Sequence, residues 1–172
     1  MTTTRDRSRT RLTTVVLLLL ALAVLAIVLL ARQGGASTSV VDGVVEVTME
    51  DYAFDATSLT VPVEEPVTFR LVNRDEVSHH LSFGRGLVEE GPRVLAFEDD
   101  LFAGLDPRVR PTNAVVDLAP PQDTFTVLVQ GGSTVDVDVT FPADRAGEWQ
   151  IGCFTGRGCH YRAGLEADLT LR

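Results

Sequence analysis

An all-β fold is predicted for most of this chain, on three observations. Apolar residues alternate with polar ones in short runs. Gly, Pro, Asn, Asp and Ser punctuate those runs. The one long unbroken apolar stretch stands apart, near the first residue. Period-two alternation puts every second side chain on the same face of a strand, and its repetition between turn signals describes an antiparallel sandwich or barrel around an apolar interior.

The elements follow in order. Arg5, Arg7, Arg9 and Arg11 precede a run from Leu12 to Ala31 that is apolar except for Thr13 and Thr14. Its 20 residues are about what a helix needs to cross the hydrocarbon core. A signal peptide has a shorter apolar region and a small-residue cleavage site, and Ala31-Arg32-Gln33-Gly34-Gly35-Ala36-Ser37 offers no clean one. Residues 12–32 are therefore expected to be an uncleaved transmembrane anchor. No Cys follows the run to carry a lipid. Four Arg against one Asp before the span place residues 1–11 in the cytoplasm and the remainder outside, as a single-pass protein of the cell membrane. Residues 33–41, rich in Gly, Ser and Thr, read as a short flexible tether. Residues 42–172 read as one domain, long enough to bury a core.

Within that domain Val45, Val47 and Met49 alternate with polar neighbours, and Tyr52 and Phe54 resume after a break. Val67, Phe69 and Leu71 form a second alternating set. Phe125, Val127 and Val129 lead into Gly131-Gly132-Ser133, read as a hairpin turn, and Val135, Val137, Val139 and Phe141 continue from it. Trp149 and Ile151 run up to Cys153, and Leu169 and Leu171 form the last strand. One segment departs from period two. Val94, Phe97, Leu101 and Leu105 recur at helical spacing between Pro92 and Pro107, which predicts one short helix over 93–105. No internal repeat interrupts the domain.

The exported residues carry 23 acidic and 10 basic side chains, a net charge of −13. Such a surface repels nucleic acid and anionic lipid and steers towards basic partners.

All three His and both Cys fall in two windows, Val77-Ser78-His79-His80-Leu81-Ser82-Phe83 and Gly152 to Leu165. Imidazole nitrogen and thiolate sulfur together suit copper or zinc far better than magnesium or calcium. His79 shares its strand phase with Val77, Leu81 and Phe83, all apolar, and points inward, whereas His80 shares a phase with Ser78 and Ser82 and points outward. Cys153 is in phase with Trp149 and Ile151 and reaches the inner face where a loop begins, and His160 lies far enough along that loop to return to the same point. One His from a strand with a Cys and a His from a loop describe a trigonal His₂Cys site, the ligand set of blue copper.

These residues resemble the cupredoxins, single-domain blue copper proteins, over roughly Val44 to Leu171. The likeness is carried by Asn73 through His79 with its strand, and by Gly147-Glu148-Trp149 through Ala163-Gly164-Leu165. It implies an eight-stranded Greek-key sandwich, one type 1 copper per chain on His79, Cys153 and His160, and outer-sphere electron transfer. The partner would be a redox protein such as a membrane oxidase or reductase. The family usually has Met where this chain has Leu165, so the axial position holds a side chain that cannot coordinate. A three-coordinate site of this kind favours Cu(I) and a raised potential.

Other readings stay open on the sequence. A Cys153–Cys159 disulfide would brace a copper-free interaction domain. Cys159 beside the site would also suit copper delivery or storage. Zinc would need both cysteines with His79 and His160 to reach four donors. Arg157 and Arg162 flank the ligand loop, as solvated loop residues or as contacts for an acidic partner. Three histidines are too few for the extra centres of a multicopper oxidase, and no Ser-His-Asp pattern appears, so an enzyme is not expected.

Overall fold

The computed structural model describes residues 36–118, 121 and 123–172. The expected cytoplasmic segment 1–11, the anchor 12–32 and the first residues of the tether lie outside the described residues. In chain order the strands are β1 (Ser37–Ser39), β2 (Val44–Glu50), β3 (Ala53–Phe54), β4 (Ser58–Val61), β5 (Pro66–Asn73), β6 (His79–Glu90) and β7 (Arg93–Asp100). They continue with β8 (Arg108–Arg110), β9 (Val115–Val116), β10 (Thr126–Val129), β11 (Thr134–Thr140), β12 (Gly147–Cys153) and β13 (Glu166–Leu171). Among the described residues the one α-helix, α1 (Cys159–Ala163), lies between the last two strands.

The strands form two sheets. The larger runs β1-β4-β13-β12-β6-β10-β9, with β7 pairing the far half of β6, and the smaller runs β3-β2-β5-β11-β8. Val45, Val47, Met49, Phe69, Leu71 and Val137 of the smaller sheet share one core with Leu81, Phe83, Val127, Trp149, Ile151 and Leu169 of the larger. The alternating residues predicted to face inward do so because that face alone escapes water in a two-sheet packing. Trp149 is buried, and its indole N–H donates to the Arg145 carbonyl at 2.8 Å.

Three expectations are corrected. The tether was expected to extend over 33–41, but Ser37–Ser39 form β1, which pairs in parallel with Ser58–Thr60 of β4. An edge strand needs backbone hydrogen bonds on one side only, so polar side chains do not disqualify it.

The helix expected over 93–105 does not form. Residues 93–100 are β7, antiparallel to β6, and a turn follows. Val88 opposes Ala96 and the next residue, Glu89, opposes Val94, which makes Leu95 the extra residue of a bulge. A bulge inverts the alternation, so Val94 and Phe97, three apart, join the same cluster and mimic a helical interval. Leu101 then turns into the main core.

Gly131-Gly132-Ser133 is a turn but not a hairpin. It carries the chain from β10 in the larger sheet to β11 in the smaller. A Cβ at Gly131 would collide with the Glu76 backbone, and the Gly132 N–H donates to the Asp75 carbonyl at 3.1 Å. Strands on either side of a sheet-crossing turn bury the same phase as those of a hairpin, so alternation cannot separate the two.

Candidate metal centre

The site is assembled from the loop before β6, the end of β12 and the loop that carries α1. Asn73 ends β5 and is buried; its side-chain amide donates to the carbonyls of Val77 and Val129 at 2.8 and 3.0 Å, and its side-chain oxygen accepts from the Asp75 N–H at 3.0 Å. These bonds fold residues 73–78 so that the Asp75 carboxylate meets His79, the first residue of β6. His79 faces inward with no exposed surface, and His80 faces out and is half-buried, as their strand phase predicts. Val77, which lies before the strand, is exposed.

Cys153 ends β12 directly opposite Leu81 of β6, two residues from His79. Its N–H donates to the Leu165 carbonyl at 3.0 Å, which closes the base of the loop between them. Inside the loop a second, smaller core forms from Phe154, Tyr161, Val94 and Phe97. Phe154 stacks on Tyr161 and meets Phe97 edge-on, at centroid distances of 5.4 and 4.9 Å. Two glycines permit this packing: a Cβ at Gly152 would lie 2.7 Å from the Tyr161 ring, and one at Gly158 would collide with the Val94 backbone. Gly158 also has a φ of 84°, left-handed backbone that starts α1 at little cost for glycine alone. The helix delivers His160 next to Cys153.

The resulting geometry is compact. His79 Nδ1 and His160 Nδ1 are 3.2 Å apart, and Cys153 Sγ lies 3.9 Å from the first and 3.7 Å from the second. Among the described residues these three form the one group of His, Cys, Asp and Glu side chains poised to hold a metal, with all donor atoms within 4.8 Å. His79 Nε2 meets Asp75 Oδ2 at 2.8 Å, and a carboxylate there accepts the Nε2 proton. In a neutral imidazole that bond selects the tautomer whose Nδ1 carries a free lone pair.

Electrostatics favour neutral Cys153 and His160 beside one ionised carboxylate. Burial pushes the Cys153 thiol up, against the opposing effect of its hydrogen bonds with the Thr155 side chain, at 3.4 Å, and with the backbone of Thr155 and His80. Burial and the neighbouring His79 hold His160 below the ordinary histidine value, and the same two causes lower His80. Burial would raise Asp75, but hydrogen bonds from His79 and from the backbone of Tyr52 and Asp51 outweigh it and hold this carboxyl below its usual range.

Leu165 is fully buried and belongs to the main core, and its N–H donates to the His160 carbonyl at 3.1 Å. Cys153 and Cys159 are both free thiols, the first buried and the second exposed. Arg162 pairs with Glu89 at 3.4 Å, whereas Arg157 is exposed.

Sequence reasoning missed Asp75 and Tyr52. Asp75 precedes His79 by four residues, and a carboxylate near a candidate ligand His is a recurrent pairing that could have marked it. Tyr52 comes from a turn distant in sequence; its ring sits edge-on to both His79 and His160, with centroids 5.9 and 5.0 Å away. Nothing in the sequence pattern pointed to it.

No protein-family model and no curated protein matches the chain. Among solved structures it is similar to auracyanin B at 25% identity, covering 81% of this chain and 96% of that one with a TM-score of 0.49. It is similar to reduced auracyanin from Roseiflexus castenholzii at 18% identity, covering 77% and 99%, TM-score 0.49. It is also similar to auracyanin A, a blue copper protein from Chloroflexus aurantiacus, at 22% identity, covering 78% and 99%, TM-score 0.48.

Proposed function

We propose that this chain is a cupredoxin: a type 1 copper protein that carries single electrons between extracytoplasmic or membrane redox partners. The observation that carries the reading is the convergence of two imidazole Nδ1 atoms and one buried thiol within 4.8 Å, from segments as far apart as positions 79 and 160. Three donors of this kind fit trigonal copper, while structural zinc calls for four.

His79, Cys153 and His160 would hold one copper, with Leu165 in the axial position as a packing group that donates nothing. Bound copper would supply one-electron redox chemistry between Cu(I) and Cu(II). The chain's own residues do the rest. Asp75 fixes the His79 tautomer, the Thr155 hydroxyl and two backbone N–H groups are placed to steady the sulfur, and the two cores hold the donors before any metal arrives. A site built in advance changes little when the charge at its centre changes, which is what rapid electron transfer needs. The run at residues 12–31 would anchor the domain to the membrane, facing a redox protein such as an oxidase or reductase, and the acidic domain has no use for nucleic acid.

The test is a copper titration of the full chain in detergent, read by visible absorption and EPR. An intense red-region thiolate-to-Cu(II) band with narrow hyperfine splitting is expected, and Cys153→Ser should abolish it while Cys159→Ser keeps it. A colourless protein that binds Cu(I) tightly and passes it rapidly to a chelator would replace electron transfer with copper handling, the reading that the exposed Cys159 beside His160 favours.

A further inference from the structure

The turn between β2 and β3 spends conformational energy that its connectivity does not require. Glu50 opposes Ala53, so Asp51 and Tyr52 alone make the turn. Their φ values are 54° and 60°, the left-handed pair of a type I′ hairpin. Asp tolerates this backbone and Gly at the second position is preferred, whereas a bulky aromatic residue there is an outlier that persists only when its surroundings demand it.

The surroundings are those of the metal centre. The Asp75 carboxylate accepts from the Asp51 N–H at 2.7 Å and the Tyr52 N–H at 3.2 Å, and its Oδ2 also meets His79 Nε2 at 2.8 Å. One carboxylate thus ties the strained turn to the buried histidine. The Tyr52 ring stands nearly perpendicular to both imidazoles, at interplanar angles of 82° and 84°, and is itself 40% exposed. Its ring thus lies against both imidazoles at the edge of the site.

We propose that Tyr52 is a positioning residue of the centre, kept in a strained turn because its ring fixes the mutual angle of His79 and His160 and closes their donor atoms to water and small anions. The inference rests on reading those residues as a copper site, and it gives that site a selectivity: electrons pass, and small ligands do not reach the metal. The edge of an aromatic ring carries partial positive charge and the face partial negative, so perpendicular contacts attract without a hydrogen bond. The phenol hydroxyl is not needed for the role, but the ring is.

Tyr52→Gly and Tyr52→Phe in the full chain separate this role from a structural one. Gly suits the turn, so the metal-free Tyr52→Gly protein should unfold at a denaturant concentration equal to or above that of the parent. In the same variant copper should leave to a chelator about tenfold faster or more, the scale of other residues that support metal ligands, and azide should perturb the EPR spectrum. Tyr52→Phe should behave as the parent in every measurement. Parent-like copper release and azide resistance in Tyr52→Gly would overturn the proposal, as would a Tyr52→Gly chain that unfolds more readily. NMR of the metal-free histidine rings gives an answer independent of copper: Tyr52→Gly should speed solvent exchange of the His79 Nε2 proton and shift both ring spectra, and unchanged signals would overturn it. If the parent takes up no copper, the copper reading fails while the NMR result still decides the role of Tyr52.

Discussion

His79 and His160 offer the same atom to the same point, but the protein holds them in different ways. His79 opens a long strand, is fully buried, and is fixed through polar groups: strand register, the Asn73 amide and the Asp75 carboxylate. His160 rides on a five-residue helix that is too short to be stable alone, held by the small aromatic core of Phe154, Tyr161, Val94 and Phe97. One candidate ligand is set by hydrogen bonds within the main fold, the other by apolar packing outside it. The two halves should therefore fail separately.

The largest expected effect comes from Phe97→Ala. Removing the ring that meets Phe154 at 4.9 Å should cost about 3 kcal/mol in chemical denaturation. NMR of the metal-free variant should show the His160 ring perturbed and the His79 ring near its parent position. Equal disturbance of both would mean that the two halves are one cooperative unit.

Asp75→Ala is the converse. It leaves the buried His79 Nε2–H without its acceptor, at a cost of about 2 kcal/mol. Copper affinity should fall about 10- to 100-fold. Asp75→Asn, which keeps one oxygen, should do less on both measures. Here His79 should move more than His160, which Asp75 reaches only through the Tyr52 turn.

The smallest effect is a pH dependence on the loop side. The folded protein holds His160 below its ordinary value, so the unfolded chain takes up that proton first as the pH drops. This contribution to the stability of the metal-free protein is complete above the unfolded value of about 6.5 and is lost as pH falls through the depressed folded value. The denaturation midpoint should decline from about pH 7.5 to 5.5, the interval that spans the histidine value. His80 is shifted in the same sense, so the comparison is with His160→Asn, which should flatten the profile only in part.

The same division explains what could be read from the sequence. The inward placement of His79, Leu81, Phe83, Trp149, Ile151 and Cys153 follows from strand phase, which depends only on the alternation of side chains along the backbone. Residues 93–100 were misread because a single bulge at Leu95 converts period two into a three-residue interval. β1 escaped notice because pairing at an edge asks nothing of side chains. Asp75 and Tyr52 depend on a turn and a loop meeting in space, and that meeting is set by hydrogen bonds between backbone and carboxylate that leave no periodic trace. Strand-borne parts of the candidate site were legible, and the parts that support them from loops were not.

The position of β13 has a consequence for the order of events during biosynthesis. The ligand loop joins β12 to β13, and β13 is flanked by β12 on one side and by β4, in parallel, on the other. A chain made from its N-terminus holds β4 without this partner until residues 166–171 have emerged. The bond from the Cys153 N–H to the Leu165 carbonyl, which draws the loop shut, must also wait for that stretch. His79 can be in place early, but the loop that carries Cys153 and His160 is drawn shut only once β13 has joined the sheet. Metal would then be acquired by a domain already folded.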